Sequence, residues 1–321
     1  MMLFAGKDIS AFDMGDEAQL AALDSAGLIP APGEGPEEFR SRLLEMEERY
    51  RSVEKQLQEK GEFDLCGEFI LKKEDRIGAD ILSEAAGQTS ALYGFSIDWV
   101  PGFFLTGETI PLWGGCAVFL PSEKITLFMI RASFRENKRW FIYSRDELLS
   151  HELCHVARMP VGDRIFDEFF AYRTAKSAFR RYAGSCFRGK WDSILFILPV
   201  FVLLIARILE TFFSLPVPML PFWVLAGLYP GFLFCRNYLA RHHYFKAKRN
   251  LEKTGITEAQ SILFRCTSFE IIEISRAGAD NKIREFVEKR LAEGELRWKV
   301  IDYRFIRTVG EETERGENGK S

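Results

Sequence analysis

Apolar side chains beyond residue 36 recur at alternating steps of four and three, at Phe39, Leu43, Met46, Tyr50, Val53 and Leu57, with charged residues filling most positions between them. Residues three and four apart share a helix face, so this spacing draws one apolar stripe. It predicts a helix over 37–61, packed on its own protein or, since so short a heptad run specifies pairing poorly, on a second copy or a partner chain. A helical pattern returns over 74–91. Four segments rich in β-branched and aromatic residues follow, FSIDWV, CAVFL, ITLFMIRASF and RWFIY, separated by Pro101, Gly102, Gly107, Gly114, Gly115, Pro121 and the polar RENKR. They predict a small antiparallel sheet with hairpin connections.

The run SRDELLSHELCHVARMPVGD comes next. Ser144 and Glu147 stand three apart, as in a capping box, which starts a helix at about Arg145; Pro160 and Gly162 close it. A second helix is expected over 164–182, with Asp163 capping its free amides and Gly184 ending it.

Hydropathy then changes scale. Residues 193–213 are apolar apart from Arg207 and Glu210, and residues 211–235 carry no charge. About 20 residues rising 1.5 Å each cross the hydrocarbon layer, so two passes joined near 214–218 predict a transmembrane helical hairpin over 191–236. Pro216, Pro218, Pro221 and Pro230 predict a bent second pass, and Arg207 and Glu210 share a face and can pair. Arg173, Lys176, Arg180, Arg181, Arg188 and Lys190 precede the hairpin; Arg236, Arg241, Lys246, Lys248, Arg249 and Lys253 follow it. Both ends are therefore expected in the cytoplasm, with 173–190 offering a positive face to the lipid bilayer. Downstream, residues 237–308 are expected as an α+β cytoplasmic region, with helices over 257–275 and 280–292 and a strand over 296–306, followed by a disordered tail at 309–321.

Acidic residues outnumber basic ones ahead of Pro36, and Pro30, Pro32, Gly33 and Gly35 interrupt the pattern; residues 1–36 are expected as an acidic flexible arm. No basic segment followed by an apolar run opens the chain, so no secretory signal is expected. The 321 residues, 47% hydrophobic and 28% charged, leave room for about two domains. A net charge of -3, from 43 basic and 46 acidic side chains, argues against a general nucleic-acid binder. Six cysteines without a C-x-x-C pair are expected as reduced thiols.

The candidate chemistry lies in His151-Glu152-Leu153-Cys154-His155. Imidazoles at helix positions i and i+4 point the same way and can share one metal ion, while the intervening glutamate reaches a water on that ion. A third ligand is expected from the next helix, where Glu168 can face back on the first. Asp163 is better used as a cap, and Asp167 is about 100° off the Glu168 face. Cys154 is expected to pack as a small apolar residue. His242 and His243, being adjacent, diverge too far to share a metal.

HELCH followed by Glu168-Phe-Phe-Ala171-Tyr172-Arg-Thr-Ala175 resembles the gluzincin zinc metallopeptidases over roughly residues 95–185, distantly, and most closely the membrane-associated group containing CAAX prenyl proteases and bacterial quality-control proteases. Their second motif reads E-x-x-A-D-x-x-A; Tyr172 stands where the aspartate that supports a histidine ligand would be. In several of those enzymes a hairpin separates HExxH from the glutamate, whereas here it follows Glu168. The resemblance implies an α+β zincin-like catalytic domain over 62–190, Zn2+ held by His151, His155 and Glu168, Glu152 as general base, and a peptide or protein substrate near the membrane, paired by strand addition to a strand such as ITLFMIRASF. Tyr143 and Tyr172 are the candidates for supporting roles. The expected function is a membrane-anchored zinc metallopeptidase; the alternatives are an inactive zinc-binding membrane scaffold, and a sensor protease regulated by its C-terminal region.

Overall fold

The computed structural model describes residues 9–65, 67, 69–105, 115–120, 125–278 and 280–307. Helix α1 (Glu17–Ser25) begins at Asp16, whose Oδ1 accepts from the amides of Ala18 and Gln19. Helix α2 (Pro36–Lys60) has Pro at its first position, where a missing amide is harmless, and stops at Gly61 with φ 77°. Its stripe of Phe39, Leu43, Tyr50, Val53 and Leu57 is buried on this chain's own core, and the Tyr50 hydroxyl donates to the Thr126 carbonyl at 2.7 Å.

The segment ahead of Pro36 is no flexible arm over the described residues. Ile9, Phe12, Met14, Leu20, Leu28 and Ile29 are buried, and Asp24, itself buried, is held by Arg265 Nη2 at 2.8 Å and by Arg304. Its acidic character is used inside the protein, on cations more than two hundred residues away. Residues 1–8, also assigned to the arm, lie outside the described residues.

Strands β1 (Glu62–Leu65) and β2 (Phe69–Lys72) form a hairpin, followed by helix α3 (Ala79–Tyr93). FSIDWV buries Phe95, Ile97, Trp99 and Val100 but is not a strand: an amide and the indole reach the end of α1, Ser96 N donating to the Ser25 carbonyl and Trp99 Nε1 to the Ala26 carbonyl, both at 2.8 Å. The main sheet contains β3 (Gly102–Leu105), β4 (Gly115–Leu120) and β5 (Ile125–Arg131) in the order β3-β5-β4. It is mixed and not purely antiparallel, because β3 runs parallel to β5 while β4 runs antiparallel to it. The strand ITLFMIR is therefore central, with both edges occupied, and explains its unbroken apolar run. RWFIY folds back on itself as the short hairpin β6 (Arg139–Trp140) and β7 (Tyr143–Ser144). Gly107, Gly114 and Pro121, expected between strands, lie outside the described residues.

Helix α4 (Arg145–Arg158) starts where the capping pattern predicts, but the box does not form. Ser144 Oγ turns to Asp146 instead, while Glu147 accepts from the Lys176 amide at 2.5 Å and from Arg180. The expected single helix over 164–182 is divided into α5 (Asp167–Tyr172) and α6 (Ala178–Ala183). The interruption delivers that Lys176 amide to Glu147 and lets Thr174 Oγ1 donate to the Ala171 carbonyl at 2.7 Å.

Helices α7 (Lys190–Phe213) and α8 (Met219–Lys253) are both long and apolar enough to cross a membrane, and their apolar windows are scarcely covered by the rest of the chain. They turn at Ser214, whose φ of 50° is left-handed, and Pro199 and Pro230 lie within them. Arg207 and Glu210 pair at 2.7 Å. The second half of α8 leaves the apolar stretch and packs Ala240, Tyr244, Ala247 and Leu251 into the protein core. Helices α9 (Ala259–Arg265), α10 (Ser268–Ala277), α11 (Asp280–Ala292) and α12 (Leu296–Ile301) complete the chain, and α12 continues into a π turn at Asp302–Arg307. The strand expected over 296–306 is thus helical, and the region beyond α8 is all-α where described. One buried cluster runs from Ile9 to Phe305, so this region shares the core of the HELCH-bearing part. The tail at 309–321 lies outside the described residues.

Candidate metal centre

Leu149, Leu153, Cys154 and Ala157 of α4 face the core and are fully buried. That fixes the rotation of the helix and turns His151 and His155 toward α5, with their Nε2 atoms 3.1 Å apart. Glu168 comes to meet them: its Oε2 is 3.6 Å from His151 Nε2 and its Oε1 is 3.7 Å from His155 Nε2. Among the described residues this is the one group of three or more His, Cys, Asp or Glu arranged to hold an ion, all its ligand atoms lying within 4.8 Å of one another. Tetrahedral zinc with bonds of about 2.0–2.2 Å separates its ligands by roughly 3.3–3.6 Å. The separations of 3.1, 3.6 and 3.7 Å fall near that range, the last two to different oxygens of Glu168, so a small shift of the carboxylate would bring one oxygen within reach of both rings; two imidazoles with one carboxylate are a zinc-type donor set.

The far side of each imidazole is also occupied. His155 Nδ1 meets Asp167 Oδ2 at 2.6 Å, and His151 bonds the Ala171 carbonyl. Asp167, set aside from the sequence as misaligned with Glu168, is misaligned because it serves the other ring nitrogen; an acid beside the third ligand was the available signal. It is held in turn by Arg158, with Nε 3.5 Å from Asp167 Oδ1 and Nη2 2.8 Å from Asp163 Oδ2. Asp163 does not cap the helix as expected, since α5 begins only at Asp167 with Phe166 at its N-cap; the Asp163 Oδ1 instead accepts from Ile165 N at 2.8 Å in the turn ahead of the helix.

Tyr172 does not replace the aspartate of the resembled motif. Its ring lies edge-on to His151, with centroids 4.6 Å apart. Gly184 makes this possible, since a Cβ there would stand 2.2 Å from Tyr172 Cε1. Tyr143 stacks on Trp140 with ring planes 9° apart, and the Arg180 guanidinium lies 5.1 Å from the centre of its ring. Both phenols line a cleft of about 230 Å3, together with His151, Glu152, Glu147 and Arg180.

Glu152 is buried, and its Oε2 accepts the Ala117 amide of β4 at 2.6 Å. Burial pushes its carboxyl above the usual range, with His155 and the Ala117 bond opposing. Burial also drives His151 well below the usual imidazole value, aided by His155 and Arg180. Burial presses His155 the same way, but the Asp167 hydrogen bond and the charges of Asp167, Glu168 and Glu152 outweigh it and lift the ring to about 9. Glu168 is lifted to about 7, mainly by burial and then by Asp167 and Glu152, against His155. Without a cation, His155 therefore holds a proton at neutral pH and Glu168 a share of one, both of which a cation would displace, while His151 is neutral.

His243 bonds Ser275 Oγ at 2.8 Å and, with His242, stays apart from this centre. Cys154, Cys186, Cys235 and Cys266 are free thiols, and Cys154 is fully buried as expected. No family model, no curated protein and no solved structure matches the chain.

Proposed function

We propose that this chain is a membrane-anchored zinc metallopeptidase of zincin-like architecture, with its catalytic part on the cytoplasmic side. The observation that carries the reading is the convergence of His151, His155 and Glu168 beside Glu152, with Asp167 and the Ala171 carbonyl fixing both imidazoles. A zinc ion held by these three residues with a vacant fourth position would polarise a peptide carbonyl and make water acidic near neutral pH.

The chain's own residues supply the rest. Asp167 orients His155 so that Nε2 faces the centre. Glu152, lifted by burial, accepts a proton from the attacking water and holds it for the leaving amine. The Ala117 amide keeps that carboxylate in place. Among the described residues β4 pairs with β5 alone, so its other edge, beside Glu152, is the edge for an extended substrate; this replaces ITLFMIR in that role. The basic flanks of α7 and α8 favour the cytoplasm for both ends of the hairpin.

Metal analysis of the purified protein tests the ligands. Wild type should carry about one zinc per chain, and His151→Ala, His155→Ala and Glu168→Ala should each lose it. Glu152→Gln should keep the metal and lose peptide hydrolysis. Full cellular function with Glu152→Gln would instead select the scaffold reading.

One observation favours the regulated variant of this reading. Arg158 donates to the carbonyls of Phe264 and Cys266 while holding Asp163 and Asp167, so the C-terminal helices bear on the group that orients His155. Deleting residues 256–321 would remove Arg265 and Trp298 from the common core, so Arg158→Lys is the suitable probe: regulation through this contact requires altered metal affinity without unfolding.

A further inference from the structure

The lip of the cleft breaks two local rules together. The two tip residues of the β6–β7 hairpin are Phe141 and Ile142, 74% and 58% exposed. Phe141 has φ 51°, in the left-handed region that Gly, Asn or Asp normally occupy in such a turn. A small polar residue would suit both the backbone and water, whereas this sequence puts large apolar groups there. Phe179 on α6 is 77% exposed. Its neighbour Arg180 donates to the Ile142 carbonyl at 3.4 Å and lies over Tyr143, so hairpin tip and α6 stand side by side along one edge of the cleft.

That edge continues into the two apolar helices. The Tyr182 carbonyl accepts from Asn237 Nδ2 at 2.9 Å, and the Cys186 carbonyl from Arg236 Nη2 at 2.7 Å. The end of α6 is therefore fastened where the charge-free part of α8 gives way to its basic part. Tyr182, Phe187 and Trp191 are exposed along this connection, interleaved with Arg181 and Arg188. Aromatic rings mixed with cations at the end of an apolar helix match the headgroup layer of an anionic bilayer.

The geometry points to a bilayer-docking surface on the catalytic part itself: the β6–β7 tip and Phe179 enter the boundary between headgroups and acyl chains and hold the mouth of the cleft against the membrane that α7 and α8 cross. The inference rests on reading those helices as spans. It narrows the substrate class to polypeptide emerging from the bilayer next to the enzyme, since a free cytosolic peptide would have to enter along a face occupied by lipid.

The test uses the full chain in nanodiscs of mixed phosphatidylcholine and phosphatidylglycerol, with the photoreactive residue p-benzoylphenylalanine placed separately at positions 141, 179, 201 and 70. Phe201 lies in α7, and Ile70 is an exposed apolar residue of β2 outside this edge. After irradiation, mass spectrometry should find lipid adducts at 141 and 179 at yields near that of 201 and at least about tenfold above 70. Yields at 141 and 179 equal to that at 70, with 201 still labelled, would overturn the docking surface and leave the spans standing. No adduct at 201 would remove the span reading, and the docking surface with it. Chain-to-chain adducts at 141 would assign the patch to a second copy and also overturn the proposal.

Discussion

Metal binding at the HELCH helix should be steeply linked to protons, and the linkage can be worked out group by group. In the metal-free protein His151 is neutral at any pH near 7, because burial lowers it, so it contributes nothing. His155 holds a proton up to about 9, with burial opposing and Asp167 prevailing, and Glu168 holds one up to about 7, chiefly through burial. Ligation requires both in their deprotonated forms. Binding therefore releases nearly two protons below pH 7, nearly one between 7 and 9, and none above. Since each released proton steepens the apparent affinity tenfold per pH unit, raising the pH from 6.5 to 8.5 should strengthen binding by about 300-fold, or ~3 kcal/mol. Competition against a chromogenic chelator at several pH values, corrected for the chelator's own protonation, measures this directly. Asp167→Asn sharpens the test: the slope between 7 and 9 should flatten, because the group that holds the His155 proton is gone. Well above pH 9, where protons no longer compete, affinity should fall roughly 10–100-fold through lost orientation of the ring. A flat affinity from 6.5 to 8.5 in the wild type, or an unchanged slope in Asp167→Asn, would refute the reasoning.

Other expectations follow from the packing. Asp24→Asn leaves buried Arg265 without its carboxylate and should destabilise the protein by about 3–5 kcal/mol, seen as a lowered unfolding midpoint in detergent; an unchanged midpoint would restore the picture of a dispensable arm. Gly184→Ala should push Tyr172 onto His151 at an overpacking cost of about 1–3 kcal/mol, and metal affinity should fall while the far-ultraviolet circular dichroism stays the same. Cys154→Ser places a hydroxyl in an apolar site and should lower stability by about 1–3 kcal/mol with metal stoichiometry unchanged; loss of metal would give the thiol a ligand's role instead.

The HELCH helix, its start at Arg145, the meeting with Glu168 and the two long apolar helices were legible because each depends on spacing within a few turns. What escaped depends on distance along the chain. Asp24 looks like one more charge of a polar segment until Arg265 is seen beside it. Glu147 has the capping position but is drawn to Lys176 and Arg180. In α12 the helical period disappears because Leu296, Arg297, Trp298, Val300 and Ile301 are all buried, Arg297 through its ion pair with Glu270 at 2.8 Å. With nearly every side enclosed, no polar face remains to reveal 3.6 residues per turn, and the alternation of Leu296, Trp298 and Val300 imitates a strand. The parallel pairing of β3 with β5 was hidden for a related reason: segment order along the chain does not disclose which neighbour a strand takes.

Helix α8 runs unbroken for 35 residues, from the apolar turn at Met219 to the folded core around Leu251. At 1.5 Å per residue it is a rod of about 50 Å, with one half seated in protein and the other apolar half bare. A domain on a slack tether would sweep a hemisphere above the lipid, whereas this one is continuous with its rod. If α8 crosses a bilayer as proposed, the height of the cleft would be set by the geometry of that rod, and a change of bilayer thickness that tilted it would tilt the cleft through the same angle.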